Sequence, residues 1–283
     1  MAETAPAAER FSVLLPVYAG DVPDHFRRAV VSSTREQELA PDELVVVRDG
    51  PVGAAIAAVL AELDAGGPGS PAGDVPVRIV RLERNVGLAQ ALEAGLAACA
   101  HEIVARVDAD DVSLPERFAR QVPLVAAGLD LLGSAITEFA DDEAAPGVVR
   151  ALPTDPDEIA RTARFRDPFN HPSVVYRRSA VAAAGGYEDL PLMEDYLLFA
   201  RMIAGGARVA NVPDSLVLYR VGAGAYARRG GLRLLRSEVA LQRELRRAGF
   251  TTTTQALRNV AVRGGYRLVP EALRRRAYRR MLQ

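Results

Sequence analysis

EIVARVDADD, residues 102–111, is a short apolar run that turns acidic at its end. A run of this length, too short for a buried helix and closed by turn formers, reads as a buried strand over 102–107 that stops at Asp108. Working outward, FSVLLPVY at 11–18 and ELVVV at 43–47 have the same character, and a third strand is expected over 77–82. Helical stretches at 23–33, 54–63 and 87–100 separate them, with Asp21 as a candidate cap for the first. Strands alternating with helices predict an α/β fold: a mostly parallel central sheet with helices on both faces. Ligands of such sheets bind beyond the carboxyl ends of the strands. Three strand ends here carry polar groups: Tyr18, Asp49, and Asp108 with Asp110.

After Pro115 the pattern changes. Helices are expected at 116–127, 155–162, 179–184 and 194–203, the last two ended by Gly-Gly pairs. Strands are expected at 131–139, 173–176, 208–212 and 216–219, and an acidic turn at 141–147. Arg-studded helices follow at 231–249 and 270–282. The organisation expected is one domain over 10–222, in two halves (10–115 and 116–222), then a helical extension over 223–283.

Composition sets bounds. With 49% hydrophobic and 25% charged residues in 283, the chain has the make-up of an ordinary globular protein. The net charge of −1 hides an asymmetry. Residues 228–283 hold fifteen Arg against three Glu, a surplus of twelve, so the rest carries about −13. Either the tail meets something anionic, such as phosphates or a membrane surface, or it is a solvated basic helix packed on an acidic domain. Every basic residue other than His is Arg. A single cysteine, Cys99, excludes an intrachain disulfide and argues against a structural zinc site. The N-terminus does not read as a signal peptide, and no apolar run reaches the ~18 residues of a membrane span. A cytoplasmic location, peripheral to the membrane at most, is expected.

Chemistry concentrates at five places. In an extended segment Asp108 and Asp110 point the same way, and two carboxylates so placed repel unless a cation lies between them. Hard divalent ions such as Mg²⁺ take oxygen ligands and keep phosphates as further ligands. Asp49-Gly50, at the end of a strand, is either an ordinary turn or a carboxylate that bonds a nucleobase or ribose. In RNVGL at 84–88, Asn85 is a candidate helix cap and Arg84 a candidate nucleotide contact. Glu194-Asp195 starts a helix: the pair either complements the helix dipole or supplies a general base for an attacking hydroxyl. His171, in a proline-flanked loop, is either a structural hydrogen-bonder or a substrate or metal contact.

Taken together, PVY at 16–18, DG at 49–50, RNVGLAQALEAGL at 84–96, DADD at 108–111 and MEDYLLFARM at 193–202 resemble, in this order, the family 2 glycosyltransferases of the GT-A fold. NHPSVVYRRS at 170–179, AGGY at 184–187, LVLYRVG at 216–222 and RRGG at 228–231 resemble the amylovoran-biosynthesis-type subgroup. The resemblance runs from about residue 11 to the end. It implies a GT-A-like domain and an inverting transfer of sugar from a nucleotide-sugar, with UDP or dTDP favoured, assisted by Mg²⁺ or Mn²⁺. It implies that Pro16, Val17, Tyr18 and Asp49 hold the nucleobase and ribose with help from Arg84. Asp108 would place the ribose and Asp110 the metal, with Asp111 nearby. Asp195 would be the base, Glu194 beside it, and Arg228 and Arg229 would lie near the diphosphate. The subgroup implies extracellular polysaccharide assembly on a lipid-linked saccharide acceptor at the inner membrane face. With no Trp in the chain, the QxxRW motif of processive sugar polymerases cannot form, so one sugar per encounter is expected.

Two other classes compete. A nucleotidyltransferase usually carries a Gly-rich basic loop after its first strand, where this chain has PVYAGDVPDHF. A non-enzymatic anion-binding protein would face repulsion between its acidic strand ends and phosphate, and no RNA-stacking motif is visible, so no nucleic-acid partner is expected.

Overall fold

The computed structural model of the chain describes residues 10–221 and 232–265. Strands β1 (Phe11–Tyr18), β2 (Glu43–Asp49), β3 (Val77–Arg81) and β4 (Ile103–Arg106) pair in parallel in the order β3-β2-β1-β4. Helices α1 (Pro23–Ser33), α2 (Ala54–Ala65) and α3 (Leu88–Ala98) make the crossovers. The period-two alternation of β1 shows how both faces are covered. Phe11, Val13, Leu15 and Val17 pack with Phe26 and Val30 of α1 and Val59 and Leu63 of α2. Leu14, with Val45 and Val47, packs on the opposite face against Leu92 and Leu96 of α3. Gly95 permits that approach, since a Cβ there would overlap the side chains of Leu14 and Val47.

The second half comprises β5 (Val112–Ser113), α4 (Arg117–Ala126), β6 (Leu131–Phe139), β7 (Val149–Arg150), α5 (Pro156–Thr162), β8 (Val175–Arg177), α6 (Arg178–Ala183), α7 (Glu194–Ala204) and β9 (Val209–Arg220). It extends the sheet as β4-β8-β6-β9-β5, with β7 on β6. The parallel order covers the first four strands. Beyond them β8 runs antiparallel to both β4 and β6, and β6 and β9 restore one parallel pair.

The two short strands expected at 208–212 and 216–219 are one strand, β9. The register against β6 slips between Ser134 and Ile136, where Val212 and Ser215 pair but Pro213 and Asp214 do not. A bulge is the natural place for a proline that has no N–H to donate. The strand expected from residue 173 begins at 175, because His171–Ser173 forms a single 3-10 turn in which the Ser173 hydroxyl donates to Asn170 O.

Beyond the sheet, α8 (Leu232–Arg247) lays Leu234, Leu241 and Leu245 against Met193, Tyr196, Leu197 and Ala200 at and in α7. The basic helix expected at 231–249 thus packs on the helix that carries Glu194 and Asp195. After it comes α9 (Thr253–Asn259), which was not anticipated. It starts from a Thr252/Gln255 capping box and runs into a π-turn over Val260–Gly264. The helix expected at 270–282 lies outside the described residues. Among those described, no helix is long and apolar enough to cross a membrane.

Candidate active site

Parallel pairing of β1 with β2 and β4 brings their carboxyl ends side by side. β4 ends at Arg106 and the chain turns, with Asp111 N donating to Asp108 O at 3.4 Å. The acids therefore meet through a turn, not through the strand alternation expected. Oxygens of Asp108, Asp110 and Asp111 lie within 4.8 Å of one another. β5 pairs with β9 directly after this turn and fixes it, since Val112 lies opposite Leu218.

Two arginines that the sequence reading passed over organise the cluster. Arg106 is buried, and its two terminal nitrogens donate to the two oxygens of Asp108. Its carbonyl accepts from the fully buried Arg117 at 2.7 Å. Arg220 donates from its backbone N–H to Asp111 Oδ1 at 2.8 Å and from Nε to Asp110 O at 2.9 Å, with its guanidinium 4.3 Å from the Phe139 ring centre. A basic residue inside an apolar strand was the signal available for both. Burial holds the Asp111 carboxyl well above the usual carboxylate range, and the charges of Asp108 and Asp110 add to this. Asp21 was expected to cap α1. Instead its carboxylate accepts from Tyr18 N at 2.9 Å, and burial raises it to about 7, with Asp110 and Asp108 contributing. The N-cap of α1 is Val22.

Asp111 Oδ2 is buried and has no hydrogen-bond partner among the described residues, and such an atom is costly unless satisfied. The donor set is all hard oxygen, and crowded carboxylates repel without a counter-charge. The residues fit a hard divalent ion.

At the neighbouring strand ends, Pro16 and Val17 are buried within β1, and of the three expected there only Tyr18 is exposed. Asp49 is 5% exposed and accepts from Val86 N at 2.7 Å and Gly87 N at 3.0 Å. It anchors the loop before α3, the role expected of Asn85, whose side chain makes no cap. Gly50 has φ +81°, and a Cβ there would overlap the Asn85 backbone, so the tight β2 exit requires glycine. Arg84 stands exposed on that loop.

Across the sheet, Asp195 opens α7. Its Oδ1 accepts from Tyr196 N at 2.8 Å, and its Oδ2 lies 3.6 Å from His171 Nδ1. Burial raises its carboxyl, against the opposing influence of the Tyr196 N–H and Arg106. A helix start favours an ionised carboxylate, but desolvation is the largest influence on this one. Glu194 accepts from Met193 N at 3.0 Å and is raised to about 7, by burial first and then by Asp195. His171 is buried, with Nε2 2.9 Å from Tyr187 Oη. Burial, then the charge of Arg106, pushes its imidazole well below the usual range, so the ring is neutral. The ring thus faces Asp195 through Nδ1 and pairs with Tyr187 through Nε2, and His171 belongs to this group and not to the acid cluster. Arg106 is common to both groups: it binds Asp108 directly, and its charge opposes the rise at Asp195 and Glu194. Arg228 and Arg229 lie outside the described residues.

Solved structures share this architecture. S. aureus TarS 1–349 matches with a TM-score of 0.64 at 17% identity, over 90% of this chain and 71% of that one. A Pyrobaculum calidifontis mannosyltransferase in complex with GDP-Man and Mn²⁺ matches at 0.63 and 17% identity, over 98% and 81%. The fold is that of the GT-A glycosyltransferases. The Glycosyl transferase family 2 model matches residues 12–183, and the chain belongs to that family. It is 38% identical to the amylovoran biosynthesis glycosyltransferase AmsE of Erwinia amylovora, over 86% of this chain and 90% of that protein. It is 30% identical to an Escherichia coli UDP-Gal:alpha-D-GlcNAc-diphosphoundecaprenol beta-1,3-galactosyltransferase, over 97% of each. The chain is a glycosyltransferase of the amylovoran-type subgroup, and the nucleotidyltransferase and non-enzymatic readings give way to it.

Proposed function

We propose that the chain transfers one sugar, with inversion and with a divalent ion, from a UDP- or dTDP-sugar to a saccharide or lipid-linked saccharide acceptor in extracellular or capsular polysaccharide assembly. The observation that carries the proposal is the convergence of Asp108, Asp110 and Asp111 oxygens to within 4.8 Å at the β4 exit. The names of the relatives support the acceptor class, and the galactosyltransferase supports UDP.

In this reading Asp108, Asp110 and Asp111 hold Mg²⁺ or Mn²⁺, which supplies charge neutralisation for the departing diphosphate. Arg106 fixes Asp108 from beneath, and Arg220 fixes the turn that carries Asp110 and Asp111. Tyr18, Asp49 and Arg84 surround the nucleoside, with Pro16 and Val17 shaping the strand end through the backbone. The acceptor hydroxyl attacks the anomeric carbon from the face opposite the diphosphate, and its proton passes to Asp195 Oδ2. Neutral His171 orients that oxygen, and Glu194 stands beside it, its own carboxyl raised by the Asp195 charge. A single displacement inverts the anomeric centre. The domain of 10–222 carries these steps. In the extension of 223–283 we assign Arg228 and Arg229 to the diphosphate, and the arginines other than Arg258 and Arg263 to an anionic membrane surface on the cytoplasmic side, at ~1 kcal/mol per well-placed Arg.

A panel of nucleotide-sugars incubated with Mn²⁺ tests the donor class. Release of nucleoside diphosphate from a UDP- or dTDP-sugar is expected. Release of pyrophosphate, or of no nucleotide from any donor, overturns the reading.

A further inference from the structure

A second polar site lies beside the start of α7. The end of α5 and the α9 region enclose a cavity of about 220 Å³ lined by Thr162, Phe165, Arg166, Arg258, Val262 and Arg263. Three guanidiniums in so small a space repel unless anions balance them. Arg263 is balanced: its Nε donates to Glu238 at 3.0 Å and its Nη1 to Phe165 O at 2.8 Å. Arg166 and Arg258 form no ion pair among the described residues. Arg258 only stacks on Phe165, at 4.8 Å from its ring centre.

The cavity is next to the candidate base. Arg263 stacks on Tyr196, the residue after Asp195, at 5.1 Å, and the Tyr196 hydroxyl donates to Ala163 O at 2.8 Å. Asp167, the neighbour of Arg166, feels both the charge of Asp195 and that of Arg263. Asp195 thus stands between the donor-side acids and a basic pocket of opposite sign. An acid cluster that takes a metal-bound donor cannot hold a second anion without its own counter-charge, and this pocket offers two cations with no ion pair among the described residues.

We propose that this pocket binds a phosphate group of the acceptor, specifically the diphosphate that joins the acceptor saccharide to its lipid. The assignment rests on the transfer reaction proposed above. Planar guanidiniums bond phosphate oxygens in pairs, and Arg166 and Arg258 supply two such forks. Phe165 and Val262 give an apolar wall for the first carbons of the lipid. The wall opens towards solvent, where Val262 is 61% and nearby Leu257 66% exposed. A phosphate held here fixes the lipid end of the acceptor while the saccharide reaches Asp195.

A membrane headgroup offers the same phosphate chemistry, so the test separates the two sources. The full chain is titrated with geranyl diphosphate, with geraniol and with phosphatidylglycerol vesicles, as wild type and as the Arg166→Gln/Arg258→Gln double variant. Both side chains are exposed, so the variant should melt with wild type. Geranyl diphosphate should bind wild type and lose at least about tenfold in the variant, since two charge-assisted bonds go. Geraniol should bind neither, and vesicle binding and UDP affinity should stay within about twofold, as expected for charges that lie away from both. Equal geranyl diphosphate affinity in the two proteins overturns the assignment. So does a parallel loss of vesicle binding, which makes the patch a membrane contact. Should the tenfold loss appear while no nucleotide-sugar supports transfer, the pocket stands and the reaction proposed above falls.

Discussion

Replacing Asp195 by Asn keeps the shape of the side chain and removes its basicity. The amide oxygen still accepts the Tyr196 N–H that Asp195 Oδ1 takes at 2.8 Å, so the start of α7 should survive. Loss of a general base costs ~10²–10⁴ in rate, about 2.7–5.4 kcal/mol in the barrier. The pH dependence is worked from the same group. Burial raises the Asp195 carboxyl, and burial with the charge of Asp195 holds Glu194 at about 7. A base must be ionised, so wild-type turnover should rise with pH through a range above that of ordinary aspartates. Glu194 stays protonated while Asp195 ionises, so Glu194→Gln should leave the acidic limb in place while turnover persists. Stability runs the other way. A carboxyl whose folded pKa is raised favours the fold while protonated and opposes it increasingly as pH rises from the unfolded value through the folded one. At pH 8 Asp195→Asn should therefore melt no lower than wild type while being nearly inactive. The assay is initial rate against pH with a labelled nucleotide-sugar and a lipid-linked acceptor, alongside calorimetry of UDP, whose affinity should not change. Near-wild-type turnover in Asp195→Asn refutes the assignment. If Glu194→Gln is inactive at every pH while Asp195→Asn is active, the base is Glu194.

Asp110→Ala should abolish Mn²⁺-dependent UDP binding in calorimetry and leave the circular dichroism of the fold unchanged. Arg106→Met should destabilise by about 2–3 kcal/mol, less than a wholly buried broken pair because Asp108 keeps 25% exposure and can rehydrate. At about 2–4 °C per kcal/mol for a domain of this size, a drop of about 4–12 °C in Tm should be read by calorimetry, and an unchanged Tm contradicts the role given to this arginine. Gly95→Ala forces a Cβ into Leu14 and Val47, and overpacking of this kind costs about 1–3 kcal/mol. Urea unfolding should show the midpoint fall.

The alternation of β1 to β4 with three helices was legible because β1, β2 and β4 are short, largely apolar runs whose exits carry polar residues. That pattern located the acids at the strand ends. It did not show how they meet, since a turn after Arg106, pinned by the two-residue β5, does what strand alternation was expected to do. A strand so short has no period to read. The mixed half of the sheet was less legible because β8 and β9 are ordered by pairing across long sequence separations, and the Pro213 bulge disguised one strand as two. Arg106 and Arg220 each stand out as a basic residue in an apolar strand, but only packing reveals that they face Asp108 and Asp111. His171 illustrates the opposite case: proline neighbours suggested an open loop, while the chain buries the ring between Asp195 and Tyr187. The balance at Asp195 between helix dipole and desolvation depends on burial, which its position at a helix start does not reveal.

The proposed reaction is a metal-dependent, inverting transfer from a nucleotide-sugar to an acceptor. Nuclear magnetic resonance of the product formed from a ¹³C-labelled donor and a lipid diphosphate-linked acceptor, with Mn²⁺ and again with EDTA, reads both features at once. A single added sugar is expected, its anomeric configuration opposite to that of the donor, lost with EDTA and restored by Mn²⁺. A product that retains the configuration of the donor, or transfer undiminished by EDTA, would contradict it.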